Sequence, residues 1–357
     1  MKVIITAGGT GGHIYPALAI INKIKDMEPN SDFIYIGTHN RMEKDIIPKY
    51  NIKYIPLEIY GLSKKNILRD IKNVFLIGSA YKKCKKIMKE FKPDVVIGVG
   101  GYVTYPVILA AHNLKIKTFI HEQNSIPGKS NKMLAKLADS IGVSFKDSIN
   151  YFKDKQKVVF TGNPCSENAI NVKKISKEEF GIEKTRKVVL IVSGSLGSSV
   201  INDKMMDFLK TCNNNYDVIY VTGKDYYEEF KKNKFNKNIH VVPYIDNMSG
   251  LLKNIDVIVS RAGASSLSEI LALNIPAIII PSPYVANNHQ VYNALSLYKE
   301  KAIIMIEEKD LNKDLLNQSI NKCLDNDFKN QLKDNMKNLS VNNSSTVIYN
   351  IIKNMIK

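Results

Sequence analysis

Short apolar runs rich in β-branched residues recur along the chain, separated by stretches whose apolar positions follow helical spacing. In the first half the runs fall at 2–6, 33–36, 53–57, 95–99, 116–120, 140–144 and 158–161. In the second half they fall at 187–193, 217–222, 239–242, 256–259, 277–280 and 302–305. Each run predicts a strand. Their alternation with helical stretches predicts an α/β fold with parallel sheets covered by helices on both faces.

The two halves open alike. KVIITAGGTGG, from Lys2 to Gly12, is echoed by KVVLIVSGSLG, from Lys187 to Gly197. Each is a strand running into a small-residue loop and then a helix, so two Rossmann-like domains are expected. Ligands of such sheets sit beyond the carboxyl ends of the strands. Two of them facing across a cleft suit a donor on one domain and an acceptor on the other. The turn Thr161-Gly162-Asn163-Pro164 places the boundary, since proline cannot continue a helix. Residues 1–162 are expected to form the first domain and 163–342 the second, with a C-terminal helix over about 343–357 packing back on the first.

The first loop, Thr6 to His13, carries four glycines and ends on a histidine. Backbone N–H groups and a helix N-terminus there can approach an anionic or polyhydroxyl ligand without side chains in the way. His13 can accept a proton near neutral pH. The loop is not the usual dinucleotide fingerprint, because Ile14 stands where the third glycine belongs. It is not a P-loop either, since no Gly-Lys-Ser/Thr closes it. A tight turn whose glycines serve geometry alone remains the competing reading.

Composition narrows the class. The 357 residues are 44% hydrophobic and 24% charged, as in globular domains. Cys84, Cys165, Cys212 and Cys323 are far apart and lack metal-ligand spacing, so reduced thiols in a cytoplasmic protein are expected. The chain enters a strand at once, which predicts no signal peptide. Val95 to Ala111 carries no charge over 17 residues, but its glycines, Pro106 and shortness predict strand, loop and helix rather than a membrane span. The net charge of +17 implies an acidic partner. Residues 64–92 hold ten Lys/Arg against Asp70 and Glu90. Within them Ile67, Leu68, Ile71, Phe75 and Leu76 lie near one helical face, either an ordinary core face or a membrane-surface face.

Further polar clusters follow predicted strands. Ser260 to Glu269 is a small-residue loop entering a helix, apt for a diphosphate. Ser266 and Glu269 also have capping-box spacing, while a carboxylate at 269 could instead take both hydroxyls of a ribose. Arg261 could pair with a phosphate or lie at the surface. Asn287, Asn288, His289 and Gln290 concentrate donors and acceptors of the kind that read a sugar. In the first half, His121-Glu122-Gln123-Asn124 and Gly98 to Tyr102 belong at the same sheet edge as His13. His39, His112 and His240 have no comparable setting. Asp325-Asn326-Asp327 imitates a metal motif in a charged helical tail, and no histidine pair or Cys-x-x-Cys has ligand spacing, so no metal and no cofactor are expected.

Taken together and in order, GGTGGH at 8–13, GVGGY at 98–102, HEQN at 121–124, TGNP at 161–164, GSLG at 194–197, RAGASSLSE at 261–269 and NNHQxxNA at 287–294 resemble the MurG family of N-acetylglucosaminyl transferases. The resemblance spans nearly the whole chain. It implies the two-Rossmann-domain (GT-B) architecture and inverting, metal-independent transfer of GlcNAc from UDP-GlcNAc to undecaprenyl-linked lipid I. The place of action it implies is the cytoplasmic face of the cell membrane, where the enzyme would be peripheral and meet anionic lipids. Donor contacts carried by the resemblance are Thr10, Gly11, Gly12, Ser193, Gly194, Ser195, Arg261, Ala264 and Ser265, with Ile245 at the uracil. Glu269 would hold the ribose, and Asn287 with Gln290 the sugar. His13 is the candidate base, and Tyr102 and Asn124 fall on the acceptor side. One departure stands out: the family continues Gly-Asn-Pro-x-Arg, whereas this chain has Ser166 at the arginine position. Rival readings are a diacylglycerol glycosyltransferase and a UDP-GlcNAc 2-epimerase. Nucleic-acid binding is disfavoured by the lack of tryptophan, of aromatic-basic interleaving and of any nucleic-acid module.

Overall fold

The computed structural model describes residues 1–61, 67–193 and 199–357. It divides into two compact units, Met1–Cys165 with Asn343–Lys357, and Ser166–Asn342. The division falls just beyond the Gly162-Asn163-Pro164 turn, at the start of the helix Cys165–Asn171.

The first unit is built on β1 (Lys2–Thr6), β2 (Asp32–Thr38), β3 (Lys53–Leu57), β4 (Val95–Gly98), β5 (Lys117–Glu122), β6 (Ser140–Val143) and β7 (Val158–Phe160). These form one parallel sheet in the order β3-β2-β1-β4-β5-β6-β7. The second unit is built on β8 (Val188–Val192), β9 (Asp217–Val221), β10 (Ile239–Val242), β11 (Val257–Ser260), β12 (Ala277–Ile279) and β13 (Ile304–Met305). Its sheet is also parallel, in the order β10-β9-β8-β11-β12-β13. In each sheet the chain starts centrally, runs outward through two more strands, then crosses back to the other side of the first. The reversals lie between β1 and β4 and between β8 and β11, and each opens a crevice at the carboxyl ends of those strands.

Period-two alternation along each strand divides the core between the two faces. Val3, Ile5, Ile97 and Phe119 pack with Ile14, Ile21 and Ile24 of the helix Gly11–Met27. Ile4, Ile34, Val96 and Ile120 pack on the opposite face with Val107, Cys84 and Met88. The C-terminal helix Ser344–Ile356 joins the first face through Ile348, Tyr349 and Ile352. Its Tyr349 hydroxyl donates to Glu28 at 3.0 Å, and Lys353 pairs with the same carboxylate.

The alternating pattern locates each strand, but β13 shrinks to two residues where 302–305 is expected. Ala302 instead closes the preceding helix, its N–H donating to the Leu297 carbonyl at 3.1 Å after Lys301 turns left-handed. The uncharged stretch from Val95 resolves into β4, a turn and the helix Thr104–Asn113. Among the described residues no helix is long and apolar enough to cross a membrane. The four cysteines are buried and unbridged.

Candidate functional site

In the first unit the site is built at the β1/β4 reversal by close backbone packing. Val99 N–H donates to Thr6 O at 2.8 Å and Gly8 N–H to Gly100 O at 3.2 Å, extending the β1–β4 pairing into both loops. Gly100 and Gly101 have φ of 110° and 89°, which glycine alone adopts readily. A Cβ on Gly101 would lie 2.5 Å from the Gly8 carbonyl oxygen, so this approach admits no side chain.

His13 lies in the first turn of the helix Gly11–Met27, whose extended N-cap is Thr10. Its Nδ1 is 3.0 Å from the Gly8 carbonyl oxygen. A carbonyl only accepts, so Nδ1 carries the proton and the neutral ring keeps its lone pair on Nε2. A Cβ on Gly100 would stand 2.8 Å from that Nε2 and 2.6 Å from Cδ2. Thr10 and Gly12 are exposed and Gly11 half-buried, so the helix N-terminus is open to a ligand. Tyr102 is half-buried with its ring beside Gly61.

The His121 to Asn124 cluster is structural for the most part. His121 is fully buried; its Nε2 donates to Gly162 O at 3.0 Å and its Nδ1 accepts from Gln123 at 3.0 Å. Burial pushes its pKa down to about 4, so it stays neutral and serves as a strut. Glu122, also buried, gathers Asn124 N, Gly128 N and Asn131 Nδ2 at 2.8–2.9 Å and thereby folds the loop after β5. The Asn124 amide turns back on Glu122 at 3.2 Å. His39 packs edge-on against Tyr60, His112 bonds Leu137 O, and His240 bonds Asp217.

In the second unit the β8/β11 reversal sets Val192 opposite Ser260, which brings Ser193 alongside the loop that starts at Arg261. Gly194 and Ser195 lie outside the described residues. Gly263 caps the helix Ala264–Ala272 in extended conformation, so Ala264 and Ser265 form its first turn with N–H groups facing the crevice. Among the described residues the Ser265 hydroxyl is buried without a hydrogen-bond partner, and the Ser193 hydroxyl lies against the Tyr220 hydroxyl.

Two expectations change here. With Gly263 as N-cap and no side-chain cap, the Ser266–Glu269 capping box does not form. Glu269 instead accepts from Ser249 at 3.2 Å, and burial raises its pKa to about 7. Arg261 does not lie at the surface, its side chain being 11% exposed. Its guanidinium forms an ion pair with Glu308 at 2.5 Å and donates to Ile280 O at 3.1 Å, bracing the loop from behind. Ser166 is buried and bonds Val341 O at 2.9 Å, so it supplies nothing in place of the family arginine.

Around this crevice, Ile245 is buried in the loop after β10. Ser249 in the next helix, Met248–Leu252, reaches Glu269 and so ties that loop to the helix Ala264–Ala272. Asn287 and Asn288 are consecutive left-handed residues, a conformation asparagine tolerates, and Asn287 is exposed. Gln290 accepts from Ser282 N at 2.9 Å, which fixes its amide plane. Asp325 caps the helix Asn326–Lys337 through Phe328 N at 3.0 Å. Among the described residues no group of three or more His, Cys, Asp or Glu could hold a metal ion.

Sequence reasoning missed the supports. Asn293 donates from a fully buried position to Ala262 O at 3.2 Å, joining the 261–263 loop to the helix His289–Lys299. Glu308 and Glu43 are buried carboxylates behind the loops. Of these, Asn293 alone lay within a recognised motif, the NNHQxxNA at 287–294, though no role was assigned to it.

Paired Rossmann-type units, each with a small-residue loop at its reversal, form a two-domain α/β protein with a ligand crevice at each sheet's reversal. The first unit matches the family profile described as the glycosyltransferase family 28 N-terminal domain over residues 3–143. The second matches the glycosyltransferase family 28 C-terminal domain over residues 188–351. UDP-N-acetylglucosamine–N-acetylmuramyl-(pentapeptide) pyrophosphoryl-undecaprenol N-acetylglucosamine transferases are similar along most of their length. That of Bacillus pumilus is 45% identical with 88% of each chain covered, and that of Bacillus subtilis 44% identical with 87% covered. The crystal structure of Acinetobacter baumannii MurG superposes with a TM-score of 0.81 at 27% identity, covering 99% of both chains. The UDP-GlcNAc 2-epimerase of Neisseria meningitidis shares the fold at 16% identity and a TM-score of 0.68, over 99% of this chain and all of its own. The chain belongs to glycosyltransferase family 28 and, within it, to the MurG family.

Gly100→Ala tests the packing on the histidine. The added methyl collides with the His13 ring, and φ of 110° disfavours it independently. Turnover is expected to fall at least about tenfold with the second unit's affinity for UDP unchanged, as measured by steady-state kinetics and calorimetry; wild-type turnover would show the ring's position to be immaterial.

Proposed function

We infer that the protein transfers GlcNAc from UDP-GlcNAc to the 4-hydroxyl of the MurNAc residue in undecaprenyl-diphosphate-MurNAc-peptide, lipid I, with inversion at the anomeric carbon. The observation that carries the chemistry is the His13 ring, held through Nδ1 so that Nε2 keeps its lone pair. The acceptor oxygen attacks the anomeric carbon as the bond from that carbon to the UDP oxygen breaks. Nε2 takes the hydroxyl proton, a contribution of about 10²–10⁴ in rate. Charge growing on the departing diphosphate meets the N-terminus of the helix Ala264–Ala272 and the hydroxyls of Ser193 and Ser265.

In this reading Gly194 and Ser195 extend the diphosphate loop, Ile245 offers backbone to the uracil, Asn287 and Gln290 read the sugar, and Thr10, Gly11 and Gly12 meet the donor from the first unit. Tyr102 and Asn124 line the acceptor. The test is acceptor-dependent UDP release with lipid I, run beside UDP-glucose, UDP-GalNAc and diacylglycerol as alternatives. His13→Ala is expected to lower kcat at least about 100-fold with donor KM nearly unchanged. Release with diacylglycerol, or donor epimerised without acceptor, would overturn the reading, and a fully active His13→Ala would remove the base.

Glu269 gives the donor site a pH signature. Its folded pKa of about 7 lies above the ordinary 4.5, so the form that accepts two ribose hydroxyls is the minor one below neutrality. Donor affinity should therefore rise about tenfold from roughly pH 6 to 8, and Glu269→Gln should flatten that rise while weakening binding. The sign for stability is opposite: this group's contribution is present at low pH and lost as pH climbs toward 7, so the substitution should not lower Tm at about pH 8. Calorimetric titration and thermal melts at both pH values check the pair. A lowered Tm with unchanged affinity would make Glu269 structural only.

The first unit also supports peripheral contact with the cytoplasmic face of an anionic membrane. In the helix Ile67–Phe91, Ile71, Val74 and Phe75 are 52%, 62% and 75% exposed. Leu76, expected on the same face, instead packs half-buried against the core with Ala80, Cys84 and Met88, so this core helix keeps an exposed apolar edge. The side chains of Ile67 and Leu68, and Lys64 and Lys65, lie outside the described residues. Lys82 and Lys86 are exposed on the same helix, while Lys83 donates to Pro56 O at 2.9 Å and Lys85 lies over the Tyr81 ring. Each cation near an anionic leaflet contributes about 1 kcal/mol. Replacing Lys82, Lys83, Lys85 and Lys86 by Gln should release the protein from anionic vesicles in a co-sedimentation assay and slow turnover only with membrane-embedded acceptor. Equal binding of both forms across a salt titration would reduce the cluster to a solvated face.

A further inference from the structure

Three consecutive residues of the glycine loop are pinned from three directions. The Ala7 carbonyl accepts from the buried Tyr35 hydroxyl at 3.1 Å, Gly8 N–H donates to Gly100 O at 3.2 Å, and Gly9 N–H donates to Glu43 Oε2 at 3.2 Å. Glu43 opens the short helix Glu43–Ile46 just after β2 and is fully buried. Its other oxygen accepts from Thr38 N at 2.9 Å and Thr38 Oγ1 at 2.6 Å. A Cβ on Gly8 would lie 2.8 Å from that oxygen and one on Gly37 2.8 Å from the Glu43 Cγ, so the carboxylate is packed against two glycines. Proton transfer in the mechanism above makes no use of it.

The Gly8 carbonyl and the Gly9 N–H are the two ends of one planar peptide unit, and in a trans peptide they point in opposite directions. Glu43 grips the N–H end and His13 Nδ1 grips the C=O end. We propose that Glu43 is a positioning residue for His13, acting through the Gly8–Gly9 peptide. A glycine–glycine peptide is the easiest in any chain to flip, since neither neighbour has a Cβ and Gly9 already has φ of 100°. Flipping it would present an N–H to His13 Nδ1 and favour the tautomer with the proton on Nε2, which cannot accept from a substrate hydroxyl. The carboxylate holds the plane in the one orientation that keeps the Nε2 lone pair. It also polarises the peptide, so the carbonyl accepts more strongly from Nδ1–H. The arrangement resembles a carboxylate orienting a catalytic histidine, with one peptide interposed.

This inference rests on His13 as the base for its effect on rate, but its structural half can be read without turnover. Full-length protein labelled with ¹⁵N-histidine is compared as wild type, Glu43→Gln and His13→Ala, the last assigning the His13 ring signals. Glu43→Gln is expected to move the His13 ring nitrogens from the Nδ1-protonated pattern toward a mixture of tautomers. It should also lower kcat about tenfold with donor KM within about twofold. An unmoved ring spectrum overturns the proposal whatever the rate. A moved spectrum beside a fully active His13→Ala sustains the positioning role and removes only the base assignment. If Glu43→Gln does not fold, Thr38→Val removes one donor from the carboxylate and Thr38→Ser restores it. A ring shift in the valine variant that serine rescues supports the proposal, and identical spectra in the two refute it.

Discussion

The contact between the backbones of Gly8 and Gly101 is what the catalytic end of the first unit depends on. A parallel sheet whose strand order reverses sends the chain from its two central strands to opposite sides, and the loops that leave them normally diverge. Here they stay bonded past the strand ends, through Val99 to Thr6 and Gly8 to Gly100. Only glycine permits this, since a Cβ at 101 would lie 2.5 Å from a carbonyl oxygen. That approach and the Glu43 carboxylate on Gly9 N–H together hold the Gly8–Gly9 peptide, whose carbonyl accepts from His13 Nδ1. The second unit uses the same topology with a different outcome, because a helix N-terminus and two serines occupy its reversal.

Much of the frame was legible because parallel strands buried on both faces leave an unmistakable apolar run, and every strand carries one. The sites were legible where ligand chemistry demands small residues, as at GGTGGH and RAGASS. What could not be read was the layer behind them. Glu43 sits in an ordinary charged segment, and nothing in its neighbourhood says that its carboxylate reaches back to Gly9. Arg261 looked like a phosphate ligand because it borders a phosphate-type loop, yet its partner Glu308 lies far along the chain. Such pairs are set by tertiary contact between sequence-distant segments, which periodicity does not encode. The Ser266–Glu269 spacing misled for a related reason: capping depends on where the helix starts, and the β11 loop starts it at Gly263, too early for Ser266 to cap.

The buried carboxylates separate structure from function. Glu43 gathers three donors and Glu122 gathers four, and each organises one loop. Glu308 is matched by a guanidinium. Glu269 differs, with one serine hydroxyl at 3.2 Å and burial raising its pKa to about 7. A carboxylate so poorly compensated costs folding free energy, and it persists where the missing donors arrive with a ligand. In the proposed function two ribose hydroxyls supply that deficit, whereas a merely structural glutamate would have collected neighbouring backbone amides as Glu122 does.

The same reasoning bears on how this chain meets a diphosphate without the arginine found elsewhere in its family. At position 166 the serine is turned inward to Val341, so the loss of the cation is built into the packing. Arg261 cannot move into the gap without leaving Glu308 buried and unpaired, at a cost of about 3–5 kcal/mol. Among the described residues, the N-terminus of the helix Ala264–Ala272, equivalent to about half a charge, supplies positive potential at this crevice. The Ser265 hydroxyl is buried with no partner among the described residues, at a cost of about 1–3 kcal/mol. In the proposed function that cost is recovered when a diphosphate oxygen arrives as acceptor. On the proposed function, donor binding therefore draws on dipoles fixed in advance rather than on a mobile cation, and such dipoles strengthen most as negative charge builds on the leaving group.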